Sequence, residues 1–455
     1  MSESKELGTR SIGALLLKFS VPAVIGMLVN ALYSVVDRIF IGRGVGSLAL
    51  SGVAITFPIT NIIMGIGMLI GSGAAAVISI KLGQKKKEDA EKILGNAYFL
   101  TLIIPILLTI VGLIFLDPIL RLFGASDATL PYAHQFASIL LAGAILQNVG
   151  FGLNPIIRAQ GDPKTAMITM LIGAVINFIA NPIFIFGLHM GVAGSALATL
   201  LAQAVCSIWI FLYFWKGKSV LQLRRIHIRP DSRIIKEILA IGVSPFIMQI
   251  AASVVTILIN TSLVQYGGDL AVGAYSLISS IAILIIMPIL GVNQGVQPII
   301  GYNYGAGNVP RVKRAFWLGF WVNTIIATLG WLFVELFPRQ IISIFNKDDL
   351  QLIAIASEGL ALYLLALFGV GPQSACVNFF QSIGKAFRSM SLSLLRQVVL
   401  LIPLILILPH FWGLNGVWFS GPISDFGSTV IALVFLLLEF HKLRNFPGNS
   451  SSQKI

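Results

Sequence analysis

The sequence predicts an all-α polytopic membrane protein of twelve transmembrane helices arranged as two parallel six-helix lobes. Three observations carry this. Of the 455 residues 56% are hydrophobic and 11% charged, and the mean hydropathy is +0.91, which does not describe a water-facing surface. Twelve apolar runs are each long enough to cross about 30 Å of hydrocarbon as a helix. The stretch from Pro22 to Gly194 also reappears as Pro245 to Gly416, shifted by 222 or 223 residues. A period of that length marks a duplicated bundle; solenoid repeats run to roughly 20–50 residues. Helices are preferred to a barrel because the runs are continuously apolar, whereas barrel strands alternate and are about ten residues long.

The first run, 15–42, follows the polar segment MSESKELGTR and contains Pro22. It is longer than a signal-peptide core and lacks a small-residue cleavage site, so it reads as a retained helix. The second, 50–80, holds MGIGMLIGSGAAA, small residues at helical spacing that suit close packing, and ends at KLGQKKK. The third, 93–116, follows Glu88, Asp89 and Glu91, which read as loop acids beside the lysine run, and it closes at RLFGASD. The fourth, 131–157, leads into AQGDPK; the fifth, 165–188, carries AVINFIANP; the sixth, 191–215, opens with GVAGSALAT. Residues 216–237, the longest cytoplasmic connection, then divide an N-lobe (1–215) from a C-lobe (238–455).

The second copy repeats the order. Its spans are 238–264, 270–302 ending at NYGAGNV, 315–337 before SIFNKDD, 352–380 before QSIGKA, 388–410 and 413–440. Gly161 and Gly384 keep the same shift, while Pro182 and Pro403 fall one residue short. Six helices per copy is an even number, so both copies start on the same face. Parallel repeats of this kind are related by an axis along the membrane normal. Prolines inside the spans free backbone carbonyls and mark either hinges or ordinary membrane-helix composition.

Lys and Arg favour cytoplasmic loops, and they fall mainly on one side. With both termini inside, the cytoplasmic segments hold Lys81, Lys85, Lys86, Lys87, Lys92, Arg158, Lys164 and the run from Lys216 to Lys236; the outer loops hold only Arg38, Arg43, Arg121, Arg339 and Lys347. The expected location is the cytoplasmic (inner) membrane, multi-pass. The net charge of +13 is thus a topology signal and needs no nucleic-acid partner. The polar ends, including NFPGNSSSQKI, are expected to be mobile.

Cys206 and Cys376 lie inside spans without nearby partners, so neither a disulfide framework nor a metal site is expected from them. There is no phosphate-binding GxxxxGK[ST] loop, no HExxH and no GxSxG, and five histidines are scattered. No enzyme and no cofactor is expected.

Ionisable residues within the membrane are functional candidates by default. Asp37, in NALYSVVDRIFIG, and Asp425, in SGPISDFGSTVIAL, lie inside spans. Asp37 lies about nineteen residues after Lys18, roughly 28 Å at 1.5 Å per residue, and its repeat-mate is Asn260. Asn177 and Asn181 stand four apart on one helix face, and Thr199 follows in the next span. Together these four hold a proton through hydrogen bonds or a sodium ion through oxygens, or else Asp37 pairs with Arg38 or Arg43 and the others bridge helices. Asp425 has Arg396 as mate across a depth gap of about 12 Å, as a structural pair or a second functional acid. Asn30, Tyr33, Met64, Met68 and Asn154 are candidates for lining a substrate cavity.

The first-span segment VPAVIGMLVNALYSVVDRIFIG, the NxxxNP of Asn177 to Pro182, GVAGSALAT, QSIGKA and LLRQVVLLIPL resemble the multidrug and toxic compound extrusion (MATE) family of the MOP superfamily, and within it the bacterial DinF-like and MepA-like branch. The resemblance covers nearly the whole chain. It implies an antiporter that exports amphipathic, often cationic organic compounds in exchange for protons or sodium, acting as a monomer, with Asp37, Asn177, Asn181 and Thr199 as the coupling site. Asn181 departs from the pattern, since many relatives place an aspartate there; this leaves Asp37 with more of the cation work. The segment SPFIMQIAASVVT lacks the glutamate of the NorM-like branch, and the tenth span lacks its aspartate. The competing expectation is a flippase for lipid-linked oligosaccharides, which would need a basic central cavity.

Overall fold

The structure is a computed structural model that describes residues 3–216, 219–345 and 349–444. Helices make up nearly all of these, and no strand occurs among the described residues. Helix is the one open structure that satisfies every backbone polar group within its own segment. Among the described residues ten helices are long and apolar enough to cross a bilayer, and two bent pairs, each taken as one span, bring the number to twelve.

In chain order these are α1 (Ile12–Gly44), α2 (Phe57–Gly83), α3 (Lys87–Ile114), the pair α4 (Leu130–Ala142) and α5 (Ala144–Ala159), α6 (Pro163–Gly187) and α7 (Gly191–Trp215). Then follow α8 (Ser232–Gly268), α9 (Leu270–Gly305), α10 (Val309–Leu336), the pair α11 (Leu350–Tyr363) and α12 (Leu367–Ser382), α13 (Ala386–Trp412) and α14 (Leu414–Arg444). The pairs bend by 56° and 46°. Side chains close three helix starts: Asp162 accepts from the Thr165 amide, Asn308 from Arg311 and Asp349 from Gln351 and Leu352.

Three expectations need correcting. The run expected from residue 50 breaks at Thr56, whose hydroxyl turns back to the Val53 carbonyl at 2.7 Å; a short helix, Ser47–Ile55, precedes α2. The start of the chain is helical over Glu3–Thr9, with Leu7 fully buried. Glu91 is no loop acid: it sits in α3 and is buried, reached by Lys87 at 3.7 Å and Arg224 at 3.5 Å. The tail NFPGNSSSQKI, Lys347 and the side chains of Arg38 and Arg43 lie outside the described residues.

The chain packs into two compact units, Met1–Arg10 with Ile25–Ile250, and Ser11–Val24 with Ala251–Ile455. Relative to the lobes expected at 1–215 and 238–455, two segments trade places: 11–24 goes with the second unit and 238–250 with the first. Glycines explain both. In the first unit α2 and the start of α8 meet backbone to backbone: a Cβ on Gly73 would overlap the Ile238 carbonyl, and one on Gly242 the Leu69 carbonyl. In the second, a Cβ on Gly291 would lie 2.6 Å from Val24 Cα, and one on Gly295 2.7 Å from Ser20 Cα. Gly73 and Gly295 are repeat-mates, so both copies build the same kind of small-residue crossing.

The first unit also holds the connection after α7. Gln160, fully buried, accepts from the Ser219 hydroxyl at 2.6 Å and the Leu221 amide at 3.1 Å, and donates to Tyr213 at 2.8 Å. Asn96 accepts from the Asp231 amide at 2.8 Å. The core of the second unit gathers Ile259, Ile278, Leu360, Ile405 and Trp418. At one end of it Glu439, fully buried, takes both Lys385 and Arg388. Replacing Glu439 by Ala is expected to cost about 2–4 kcal/mol in a thermal or denaturant melt of the purified protein. That is below the full penalty for an orphaned buried ion, because the two cation side chains are 34% and 28% exposed and can turn to water.

Candidate functional site

Three helices of the first unit each present a pair of polar residues four apart, the spacing that stacks side chains on one helix face. α1 offers Tyr33 and Asp37, α6 offers Asn177 and Asn181, and α7 offers Ser195 and Thr199. The pairs converge. Asn181 Nδ2 donates to Asp37 Oδ1 at 2.5 Å, and Ser195 Oγ donates to the same oxygen at 2.7 Å. Asn181 Nδ2 also reaches Asn177 Oδ1 at 3.1 Å, and Asn177 Nδ2 donates to Thr199 Oγ1 at 3.1 Å. The Tyr33 hydroxyl stands beside Thr199 at the end of this chain. Asn177 is 2% exposed, and Asn181 and Ser195 are fully buried.

The direction of this network follows from its ends. Asn181 faces two acceptors, Asp37 Oδ1 and Asn177 Oδ1, so its amide nitrogen must turn toward them. Its own Oδ1 then stays buried without a hydrogen-bond partner among the described residues. An open buried carbonyl is costly in a protein interior, and here it stands beside a carboxylate, an arrangement suited to a small cation or a proton carrier. Beyond Asn181 the helix continues through Pro182, which has no N–H to give, into a wide π turn over Ile183–Gly187. Such turns cluster at functional sites.

The four expected coupling residues are therefore brought together. Tyr33, expected among the cavity residues, belongs to this cluster as well. Ser195 was missed: within GVAGSALAT it reads as one more small packing residue, and the signal that would have found it is its position four before Thr199.

The remaining candidates lie elsewhere. Asn30, Met64 and Met68 are half-buried on α1 and α2. Asn154 is committed to structure: it accepts from Arg158 at 2.6 Å and donates to the Ala166 carbonyl at 2.9 Å. Arg158, expected in a loop, is buried at the end of α5. In the second unit Arg396 Nε donates directly to Asp425 Oδ1 at 2.6 Å, where helix counting left about 12 Å. Arg396 itself lies within a second π turn, Leu395–Leu401, and its long side chain spans the gap. Ser424 adds a bond to the Arg396 carbonyl at 2.7 Å. Cys206 and Cys376 are both buried free thiols, as expected.

The sequence profile of the MatE family matches residues 22–183 and, a second time, 245–407. The chain belongs to the MatE family. Both matches start at the prolines that anchor the internal repeat, Pro22 and Pro245, so the duplication is a property of the family's own unit. Among curated relatives, this MatE protein is 28% identical over 435 residues to the multidrug export protein MepA of Staphylococcus haemolyticus (strain JCSC1435), covering 96% of this chain and 94% of the relative. It is 27% identical over 429 residues to MepA of Staphylococcus aureus (strain MRSA252), with 93% of each chain covered. Among solved structures, it superposes on a ligand complex of the MATE multidrug transporter DinF-BH with a TM-score of 0.90 and 39% identity, over 96% of this chain and 98% of that one. An outward-facing multidrug resistance MATE transporter of the MOP superfamily gives a TM-score of 0.91 at 27% identity, covering 97% and 98%. The MatE protein is thus a multi-pass membrane protein of a transporter family, and its all-helical architecture is that of MATE transporters.

Proposed function

We propose that this MatE protein is a secondary active exporter that releases amphipathic, often cationic organic compounds in exchange for protons, by alternating access, from the cytoplasmic membrane with both termini inside. The observation that carries the reading is the carboxylate of Asp37, within a spanning helix and held by Asn181 and Ser195. The MepA relatives are multidrug export proteins and DinF-BH is a multidrug transporter, and the Lys and Arg distribution supports the orientation. The choice of the proton rests on the donors. A sodium ion wants oxygens around it, whereas Asn181 offers Asp37 an amide nitrogen in the position where many relatives place a second carboxylate. Asp37 exchanges its proton as the substrate's charge enters and leaves, and the membrane potential adds about 2.3 kcal/mol per charge per 100 mV. Purified protein in liposomes loaded with a fluorescent organic cation tests this: efflux is expected under an imposed proton gradient and not under a sodium gradient alone. Sodium-driven efflux would reverse the ion assignment, and no flux of any dye under either gradient would overturn the exporter reading.

A further inference from the structure

Where α7 ends, four side chains form a ladder along the first unit. Tyr98 of α3 lies 5.8 Å from Phe211, Phe211 stacks on Trp215 at 5.3 Å with planes 27° apart, and the Arg225 guanidinium stands 5.7 Å from the Trp215 ring centre. Trp215 is 43% exposed and Ile226, beside Arg225 in the chain, 67%. Ile208 and Leu212 continue the exposed apolar track down α7.

The end of a spanning helix sits at the membrane–water boundary, where tryptophan and tyrosine collect. A guanidinium laid against an indole keeps its N–H edge turned outward, and its planar fork matches a phosphate. No carboxylate pairs with Arg225 among the described residues. Acids of this region are already engaged: Glu91 with Lys87 and Arg224, Glu88 with Lys92, Asp231 with the amides of Arg233 and Ile234. Lys216, Arg229 and Arg233, in the same stretch of chain, are exposed cations. The segment is also pre-formed, since Gln160 fixes Ser219 and Leu221 and Asn96 fixes Asp231.

We propose that Arg225 and Trp215 form a binding site for the phosphodiester headgroup of an anionic phospholipid, whose acyl chain runs along Phe211 and Tyr98. The site needs only that the chain spans a membrane and is independent of the exported compound and of the coupling ion. A free anion would gain nothing from the apolar ladder below the cation, which selects the lipid over inorganic phosphate.

The experiment uses the full chain in phosphatidylcholine nanodiscs containing an equal mole fraction of acyl-brominated phosphatidylglycerol or acyl-brominated phosphatidylcholine. The contribution of Trp215 is the quenching lost in Trp215→Phe. We expect the anionic lipid to quench Trp215 with an apparent affinity about five-fold above the zwitterionic one, the increment of one basic residue at an anionic surface. Arg225→Gln should bring the two lipids level, with dye efflux unchanged, and excess inorganic phosphate should leave the wild-type preference in place. Equal quenching by both lipids in the wild type, a preference that survives Arg225→Gln, or its abolition by inorganic phosphate would each overturn the site.

Discussion

Asp37→Asn is expected to reduce substrate-driven proton release from proteoliposomes to the level of protein-free vesicles. Asparagine keeps a carbonyl oxygen where Asp37 Oδ1 accepts from Asn181 and Ser195, so the helices stay packed and thermal stability should change little. What it removes is the group that carries a proton. Binding of the organic cation to the detergent-solubilised variant should weaken, since the negative charge is gone. Ser195→Ala provides the contrast. It deletes a donor to the same oxygen, and should move the pH midpoint of exchange while leaving maximal exchange within a few-fold of wild type. Unimpaired proton release in Asp37→Asn would remove Asp37 from the mechanism, and an unmoved midpoint in Ser195→Ala would reduce Ser195 to a packing residue.

Gly242→Ala should be the most damaging single methyl in the first unit. The added carbon would occupy the space of the Leu69 carbonyl oxygen, and a rigid backbone atom cannot rotate away as a side chain can. Overpacking ordinarily costs roughly 1–3 kcal/mol; with backbone on both sides of the seam the loss is expected at or above the upper end of that range. The readout is a drop in melting temperature and in monodisperse yield from detergent. Gly13→Ala, where a Cβ meets nothing within 4 Å, is the matched substitution that should leave both unchanged. If Gly242→Ala melts like the wild type, the close crossing is not what holds α8 to α2.

The sequence makes the number of spans, the duplication and most of the polar cluster readable, because each leaves a periodic or positional mark. Asp37, Asn177, Asn181 and Thr199 stand out as polar letters in apolar runs. Ser195 does not, since a serine among glycines and alanines is ordinary helix-packing composition. The Arg396–Asp425 pairing is readable as two opposite charges in neighbouring spans; what helix counting does not give is that they meet directly, at 2.6 Å. Glu91 looks like a loop charge because its burial depends on chain folding back from far away, Arg224 meeting it; Arg158 looks like one because it closes a span, although Asn154 one turn earlier holds it there. The exchange of residues 11–24 and 238–250 between units is likewise a matter of which glycine meets which backbone, and a single sequence does not print it.

That exchange has a consequence for biosynthesis. Ser20 and Val24 enter the bilayer among the first residues of the chain, yet the glycines that receive them, Gly291 and Gly295, emerge from the ribosome some two hundred and seventy residues later. At about 5–20 residues per second the opening helix waits on the order of tens of seconds, with that face turned to lipid or to a chaperone. The first unit in turn remains unfinished until translation has passed residue 250. A nascent chain stalled in the connection after α7 would therefore hold a first unit still short of its last segment and, of the second, only residues 11–24, an intermediate that quality-control proteases can recognise.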